Sequence, residues 1–308
     1  MSFVFKSTDA RRIVWQPRFA AELPDLPFHA WPETGPAEDV RYLAAWQVPD
    51  GIGALLPNLE VLFSVGAGID QLNLASVPGQ VKVVRMVEPG LVDGMIEYVL
   101  WAVLSCHRDM FSYARRQRQH VWSGAPNRAA GRIGVGVMGA GALGGPVLRA
   151  LAARGYACRS WSRTPRPLDG VAGFAGAAEL DDFLAGADIL VCLMPLTEQT
   201  RGILNRDLFA RLPRGACLIN CGRGGHLVQA DLLEALADGQ VAQAVLDVTE
   251  PEPLPAGHPF WDHPRVMLTP HIASSSQAES GVDMVIANIR RHRNGERMVG
   301  EIDRAAGY

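Results

Sequence analysis

A strand-forming run over 133–138 leads directly into Gly139-Ala140-Gly141-Ala142-Leu143-Gly144, and helical spacing follows from about 141 to 154. Few folds accept that succession. The glycines allow a sharp turn after the strand and close packing of the following helix, whose first N–H groups then face any anion lying on the turn. Taken alone, a GxGxxG pattern equally suits a turn that serves only helix packing. Here it stands inside a longer alternation: strands expected at 156–162, 189–193, 217–220, 241–247 and 266–269, with helices at 179–184, 206–211 and 229–238. Strands alternating with helices in this way require a doubly wound parallel sheet.

The first hundred residues carry a second set of short strands, expected at 3–7, 28–31, 42–47, 60–65 and 81–86, separated by turn or helix segments. A length of 308 residues fits about two domains at roughly 150 residues each. Between the two sets lies one long helical pattern, 92–118, in which Met95, Val99, Ala102 and Val103 share a face. A final helix, expected at 276–293, has no strand after it and can return to the first domain.

Ligands of open α/β sheets bind at the carboxyl ends of the strands, and the chemistry-bearing residues fall there. After the second strand of the glycine-turn set comes Trp161-Ser162-Arg163-Thr164, with no acid until Asp169. A carboxylate at that place would bind a ribose diol; Arg163 with the hydroxyls of Ser162 and Thr164 instead offers donors to a 2'-phosphate. NADPH is therefore expected over NADH, the rival reading being a solvated polar turn. Arg223, just past the 217–220 strand, can hold a carboxylate bidentately and polarise a neighbouring carbonyl. His271, after Pro270, has Glu252 upstream in a proline-rich turn, and a carboxylate bonded to an imidazole favours the imidazolium that a proton donor needs. Taken alone, Arg223 reads better as a surface salt bridge and His271 as a satisfied structural residue, and Glu252 is open to the same structural reading. Ser64-Val65-Gly66-Ala67-Gly68-Ile69-Asp70 ends a strand of the first set and offers backbone N–H groups to a small anion, or serves as a tight connection.

Composition narrows the classes further. Hydrophobic residues make up 48% of the chain, enough for substantial cores, and a net charge of -3 argues against a nucleic-acid partner. The five cysteines are scattered, without metal-ligand spacing, and read as reduced cytosolic thiols; no metal is expected. The most apolar helical stretch, 95–104, is interrupted by Glu97 and falls short of the ~20 residues a membrane span needs. A cytoplasmic protein with no membrane partner is the expectation.

Together these residues resemble the D-isomer-specific 2-hydroxyacid dehydrogenases, and within them the NADPH-dependent glyoxylate/hydroxypyruvate reductase branch. The resemblance runs through Val137-Met138-Gly139-Ala140-Gly141-Ala142-Leu143-Gly144, Cys158-Arg159-Ser160-Trp161-Ser162-Arg163-Thr164, Leu246-Asp247-Val248, Glu252-Pro253-Leu254-Pro255 and Thr269-Pro270-His271. It implies an α/β chain of two domains: a Rossmann cofactor domain over 103–275 and a flavodoxin-like substrate domain formed by 1–102 with 276–308. It implies NADP held by Gly139, Gly141, Ala142, Leu143, Gly144, Ser162, Arg163 and Thr164, with Pro195 and Asp247 beside the cofactor as well. It further implies that Arg223 binds the carboxylate and keto oxygen of a small 2-oxo acid, that His271 donates the proton, and that Glu252 tunes His271. Backbone at Ala67 and Gly68 would receive the carboxylate, and Trp46 would line the pocket. The 108–122 segment is similar to the family's dimerisation arm, implying a homodimer.

Departures from the family pattern exist. Gln229 stands where relatives often have an acid, Thr249 replaces a common aromatic, and Gly224-Gly225 is expected to loosen the loop that carries Arg223. Two other functions stay open at this point: a dinucleotide-sensing binding protein of the same fold, and a dehydrogenase for a different D-2-hydroxy acid.

Overall fold

A computed structural model of the chain describes residues 1–304. Backbone packing divides it into two units, Met1–Leu91 with the chain from Ser275 onward, and Val92–Ser274.

The first unit is built on five parallel strands, β1 (Ser2–Lys6), β2 (Phe28–Ala30), β3 (Val40–Ala45), β4 (Val61–Ser64) and β5 (Lys82–Val84). Their order is β2-β1-β3-β4-β5, with Val4 paired to Leu43 and Tyr42 to Val61. This is the flavodoxin-like order. The helix α1 (Asp9–Glu22) covers one face, where Phe3, Phe5, Trp15, Phe19 and Phe28 stack on one another. On the other face Val4, Leu43, Leu62 and Val83 pack with Ile52 of the short helix α2 (Ile52–Leu55). Each fully buried side chain of this size contributes about 1.5–3 kcal/mol. Buried Glu88 accepts hydrogen bonds from Gly90 N (2.7 Å), Leu91 N (2.9 Å), Gln277 N (3.1 Å) and the Ser280 hydroxyl. It thereby ties together the two places where the chain leaves and re-enters this unit.

The second unit opens with α3 (Pro89–His107), most of which belongs to it, and α4 (Met110–Arg118). One helix over 92–118 was expected. Asp109, at φ 53, breaks it into two, because a left-handed residue cannot continue a right-handed helix. The expected boundary at 102 also differs from the observed crossing at 91/92. Met95, Val99, Ala102, Val103 and Cys106 of α3 pack against Val135, Val137, Ile189, Ile219 and Val245, and periodicity alone does not say which sheet an apolar helix face covers. At 19 residues α3 is longer than the 95–104 stretch suggested, long and apolar enough to cross a membrane, yet this face is spent on the core of the unit.

Seven parallel strands follow: β6 (Gly134–Met138), β7 (Ala157–Ser162), β8 (Ala172–Ala175), β9 (Ile189–Cys192), β10 (Ala216–Asn220), β11 (Val241–Leu246) and β12 (Val266–Leu268). The order β12-β11-β10-β9-β6-β7-β8 reverses direction at β6, the signature of a doubly wound sheet. Side chains alternate between two cores as the pleat requires: Val135, Ile189 and Ile219 face α3, whereas Met138, Leu190 and Leu218 face the other layer. That other layer holds α6 (Leu180–Ala185), α7 (Arg206–Phe209) and α8 (Gln229–Asp238), while α5 (Gly144–Ala153) joins the α3 side through Val147, Leu148 and Leu151. Strand β8 has no counterpart in the sequence reading. Its Ala-Gly-Phe-Ala is poor in branched residues and forms the sheet edge, so only its pairing with β7 defines it. The last helix, α9 (Ala278–Arg293), packs on α1 in the first unit, where Trp15 Nε1 donates to Ala278 O at 2.9 Å.

Candidate active site

In the second unit every residue singled out from the sequence lies at or just beyond the carboxyl end of a strand. β6 runs into Gly139, whose φ of +102 suits glycine and whose Cβ, were one present, would lie 2.8 Å from Leu193 O. At Gly144 a Cβ would lie 1.8 Å from Gly139 O, so the helix α5 can approach the turn only without a side chain. A Cβ at Gly141 meets nothing within 4 Å, and no side chain caps α5 at Leu143. The turn of Gly139, Gly141, Ala142, Leu143 and Gly144 is thus shaped by two steric needs and left open at its centre, which fits a pyrophosphate at a helix N-terminus. Ser162 closes β7, its hydroxyl donating to Thr164 O at 2.7 Å, and Arg163 and Thr164 are exposed directly after it.

Beyond β10 the backbone folds back on itself around Asn220, which is buried: its Oδ1 accepts from Gly222 N at 3.1 Å and its Nδ2 donates to Arg223 O at 3.2 Å. The Arg223 guanidinium donates through Nη1 to Gly222 O at 2.8 Å. The expectation of a loose loop at Gly224-Gly225 is overturned. Both glycines are buried, and a Cβ on Gly224 would lie 2.0 Å from the carbonyl of Thr249, so here glycine marks tight packing. Gln229 donates through Nε2 to Glu250 O.

His271 and Glu252 meet. Nδ1 of the imidazole lies 2.9 Å from Glu252 Oε2, and Glu252 Oε1 accepts the Thr249 N–H at 3.0 Å. The Thr249 backbone N–H thereby aims the carboxylate. With Nδ1 donating to the carboxylate, Nε2 is the nitrogen free to exchange a proton, and the side chain is 34% exposed. His271 adopts φ 55, a conformation costing of order 1 kcal/mol or more for a non-glycine residue. Its N–H is bonded to Asp247 O at 2.8 Å and Thr269 O at 3.0 Å, which holds it there.

Asp247, expected beside the cofactor, is buried, and its carboxylate takes the Thr269 hydroxyl at 2.7 Å, Ile272 N at 2.8 Å and Ala273 N at 2.9 Å. Its work in this structure is to clamp the loop that carries His271. The Tyr98 hydroxyl bonds Thr269 Oγ1 behind it, and burial pushes the Tyr98 hydroxyl well above the usual phenol range. Pro195 follows β9 and is exposed; its carbonyl accepts from Thr200 Oγ1 at 2.8 Å and lies 3.2 Å from His226 Nε2.

In the first unit Trp46 and the 64–68 loop leave the ends of adjacent strands, β3 and β4. The Trp46 ring, 42% exposed, lies over Gly66, where a Cβ would come within 2.7 Å of Cζ3. Ser64 organises the loop: its hydroxyl lies 2.9 Å from Gly66 O and 2.8 Å from Gly68 O, and receives Gly66 N at 3.2 Å and Gln71 Nε2 at 3.2 Å. Ala67 and Gly68 are left half-buried at its tip. Behind it Arg11 donates to Val65 O at 3.1 Å and to the Ser276 hydroxyl and carbonyl, with burial pulling the guanidinium below its usual range and Glu88 opposing that shift.

Known proteins match this arrangement. The family profile "D-isomer specific 2-hydroxyacid dehydrogenase, NAD binding domain" matches residues 100–273. The chain belongs to the D-isomer specific 2-hydroxyacid dehydrogenase family. Glyoxylate/hydroxypyruvate reductase A of Yersinia enterocolitica is 40% identical over 300 residues, 96% of each chain, and that of Serratia proteamaculans is 39% identical over the same share. Among solved structures, a family member from Xanthobacter autotrophicus Py2 in complex with NADPH and MES superimposes with a TM-score of 0.94 at 38% identity, covering 100% of this chain and 99% of that one. The NADPH-dependent glyoxylate/hydroxypyruvate reductase of Sinorhizobium meliloti, in complex with NADP and sulfate, has a TM-score of 0.90 at 36% identity over 100% and 99%.

Several residues that shape these loops were given no role from the sequence: Arg11 and Ser64 in the first unit, and Asn220, His226 and Thr269 in the second. All act through backbone or through another side chain, and only Asn220, one turn ahead of an arginine after a strand, carries a local signal, that of an Asx turn.

Proposed function

We propose that this dehydrogenase is an NADPH-dependent reductase of a small 2-oxo acid, glyoxylate or hydroxypyruvate, yielding the 2-hydroxy acid. The Glu252–His271 pair carries the reading, since it leaves a partly exposed imidazole Nε2 with its other nitrogen and its rotamer fixed. The names of the Yersinia, Serratia and Sinorhizobium relatives support the substrate class, and the NADPH-bound and NADP-bound relatives support the cofactor.

In this reading Gly139, Gly141, Ala142, Leu143 and Gly144 hold the pyrophosphate, Ser162, Arg163 and Thr164 the 2'-phosphate, and Pro195 and the Asp247 strand end border the nicotinamide. When bound, the reduced nicotinamide supplies a hydride to the carbonyl carbon. Arg223 binds the carboxylate and draws charge onto the keto oxygen, with Ala67 and Gly68 N–H groups as a further anion contact and Trp46 as an apolar wall. Protonated His271 delivers its Nε2 proton to the oxygen, and Glu252 steadies the imidazolium before that transfer. The free state of all five cysteines supports a reducing, cytoplasmic location.

A homodimer is part of the proposal. Trp101, Leu104 and Met110 on α3 and α4 are exposed and line one concavity, an apolar surface of the kind a second copy covers, and Val121 and Trp122 further along the chain are exposed as well. Light scattering that returns a monomer overturns it. The activity itself is tested by NADPH oxidation across 2-oxo acids of increasing size. Turnover is expected with glyoxylate or hydroxypyruvate and lost in His271→Ala and Arg223→Ala; undiminished turnover in either variant removes the reading.

A further inference from the structure

His226 is fully buried beneath the Arg223 loop, and its ring reaches the backbone of both Arg223 and Pro195. Its Nδ1 lies 3.0 Å from Arg223 N and 3.1 Å from Arg223 O, and its Nε2 lies 3.2 Å from Pro195 O. These distances select a protonation state. The Arg223 carbonyl already accepts from Asn220 Nδ2 at 3.2 Å and from His226 N at 3.1 Å, while Arg223 N–H can only donate. Nδ1 is therefore the acceptor, and the proton sits on Nε2, donating to Pro195 O. The opposite tautomer would set an Nε2 lone pair against that carbonyl. An imidazolium would set Nδ1–H against Arg223 N–H, and complete burial opposes its charge.

We propose that His226 is a positioning residue that, as a neutral Nε2–H imidazole, locks the backbone of Arg223 to that of Pro195, so that the acid-binding guanidinium and the cofactor loop keep one spacing. The proposal rests on the reading that Arg223 holds the 2-oxo acid. In form the arrangement is a capping box, the side chain three residues on reaching back to the N-cap N–H, with histidine in the place usually taken by glutamate or glutamine. Histidine adds a donor at the far side of its ring, which a short carboxylate lacks. The loop is shaped to receive it. A Cβ at Gly222 would lie 2.9 Å from Nδ1, so a larger residue there would displace the ring. The turn is also anchored independently, by Gly202 N to Gly225 O and Leu204 N to His226 O, each at 2.8 Å, so the ring sets the fine placement of Arg223 and is not needed to form the loop.

The test uses the full-length enzyme with His226→Ala, His226→Asn and Arg223→Ala, following glyoxylate kinetics, NADPH dissociation by fluorescence, and Tm. In His226→Ala, kcat/KM for glyoxylate is expected to fall about 10²-fold, the scale of a small misplacement, with NADPH affinity changed by less than about threefold. In His226→Asn the side-chain carbonyl can take over the Arg223 N–H but does not reach Pro195 O, so most of the loss is expected to persist. Long-range nitrogen–proton NMR of labelled wild type is expected to show a proton on Nε2 alone. The proposal is overturned by a Nδ1–H or doubly protonated ring, by a His226→Asn with wild-type kcat/KM, or by an unimpaired His226→Ala beside an inactive Arg223→Ala. An unimpaired Arg223→Ala would remove the substrate reading itself, while the tautomer and the Tm values would still report on the lock.

Discussion

Glu252 and His271 form a hydrogen-bonded pair, Oε2 to Nδ1 at 2.9 Å, in which the carboxylate is itself held at Oε1 by the Thr249 N–H at 3.0 Å. Three residues from two turns thus leave only Nε2 of the imidazole available to a ligand. Removing the negative charge while keeping the shape isolates what the pair does. Glu252→Gln is expected to lower kcat for glyoxylate reduction about 10²-fold, with the KM for NADPH within about twofold, measured by steady-state kinetics. A wild-type kcat in this variant would assign the carboxylate to structure alone.

Arg163 stands exposed immediately after β7, with no carboxylate until Asp169. A charge-assisted bond to a 2'-phosphate is worth about 1.5–3 kcal/mol, so Arg163→Asp is expected to raise the KM for NADPH about 10- to 100-fold and to leave that for NADH unchanged or lower. Equal responses to the two cofactors would place the phosphate elsewhere.

Two adjacent glycines of α5 predict opposite signs. A Cβ at Gly144 would lie 1.8 Å from Gly139 O, whereas at Gly145 the nearest atom is Ala140 O at 3.8 Å. Gly144→Ala is expected to cost about 1–3 kcal/mol and lower Tm by several degrees. Gly145→Ala, a helix-favouring change that meets only ordinary van der Waals contacts, is expected to hold Tm or to add up to about 1 kcal/mol of stability. Calorimetry of the two apoproteins decides, and like-signed shifts would contradict the packing of the turn.

Burial pushes the Cys158 thiol up to about 11 and the Cys192 thiol up to about 12, and the thiol hydrogen bond to Cys217, with burial, raises Cys106. The thiolate is the reactive form, so these groups stay protonated through pH 9 in the folded protein. A disulfide reagent at pH 8 is expected to label none of these three quickly, and all five cysteines once guanidinium is added. Fast labelling of Cys158 without denaturant would show that its burial is not maintained in solution.

Much of this was readable along the chain because its cause is local. The strand–glycine turn–helix of 133–154 is a matter of φ, packing of neighbours in sequence and a helix N-terminus, and the structure changes only where the helix starts, at Gly144. Errors arose where a local pattern has two tertiary outcomes. Gly224-Gly225 reads as flexibility, but against Thr249 it is the absence of side chains that admits close packing. The 92–118 run reads as one helix because Asp109 does not announce a left-handed turn, and its apolar face does not name the sheet it covers.

The amino-acid sequence by itself determined the two parallel α/β layers, the glycine turn between strand and helix, and the presence of an arginine, a carboxylate and a histidine at strand ends, since period, glycine placement and residue chemistry act over a few residues. Only the tertiary structure decided how these groups are aimed. Asp247 became the clamp of the His271 loop, Arg11 reached across 265 residues to Ser276 behind the 64–68 loop, and His226 joined Arg223 to Pro195. Those contacts depend on which strands lie side by side, and that follows from the sheet order, to which a linear pattern is blind.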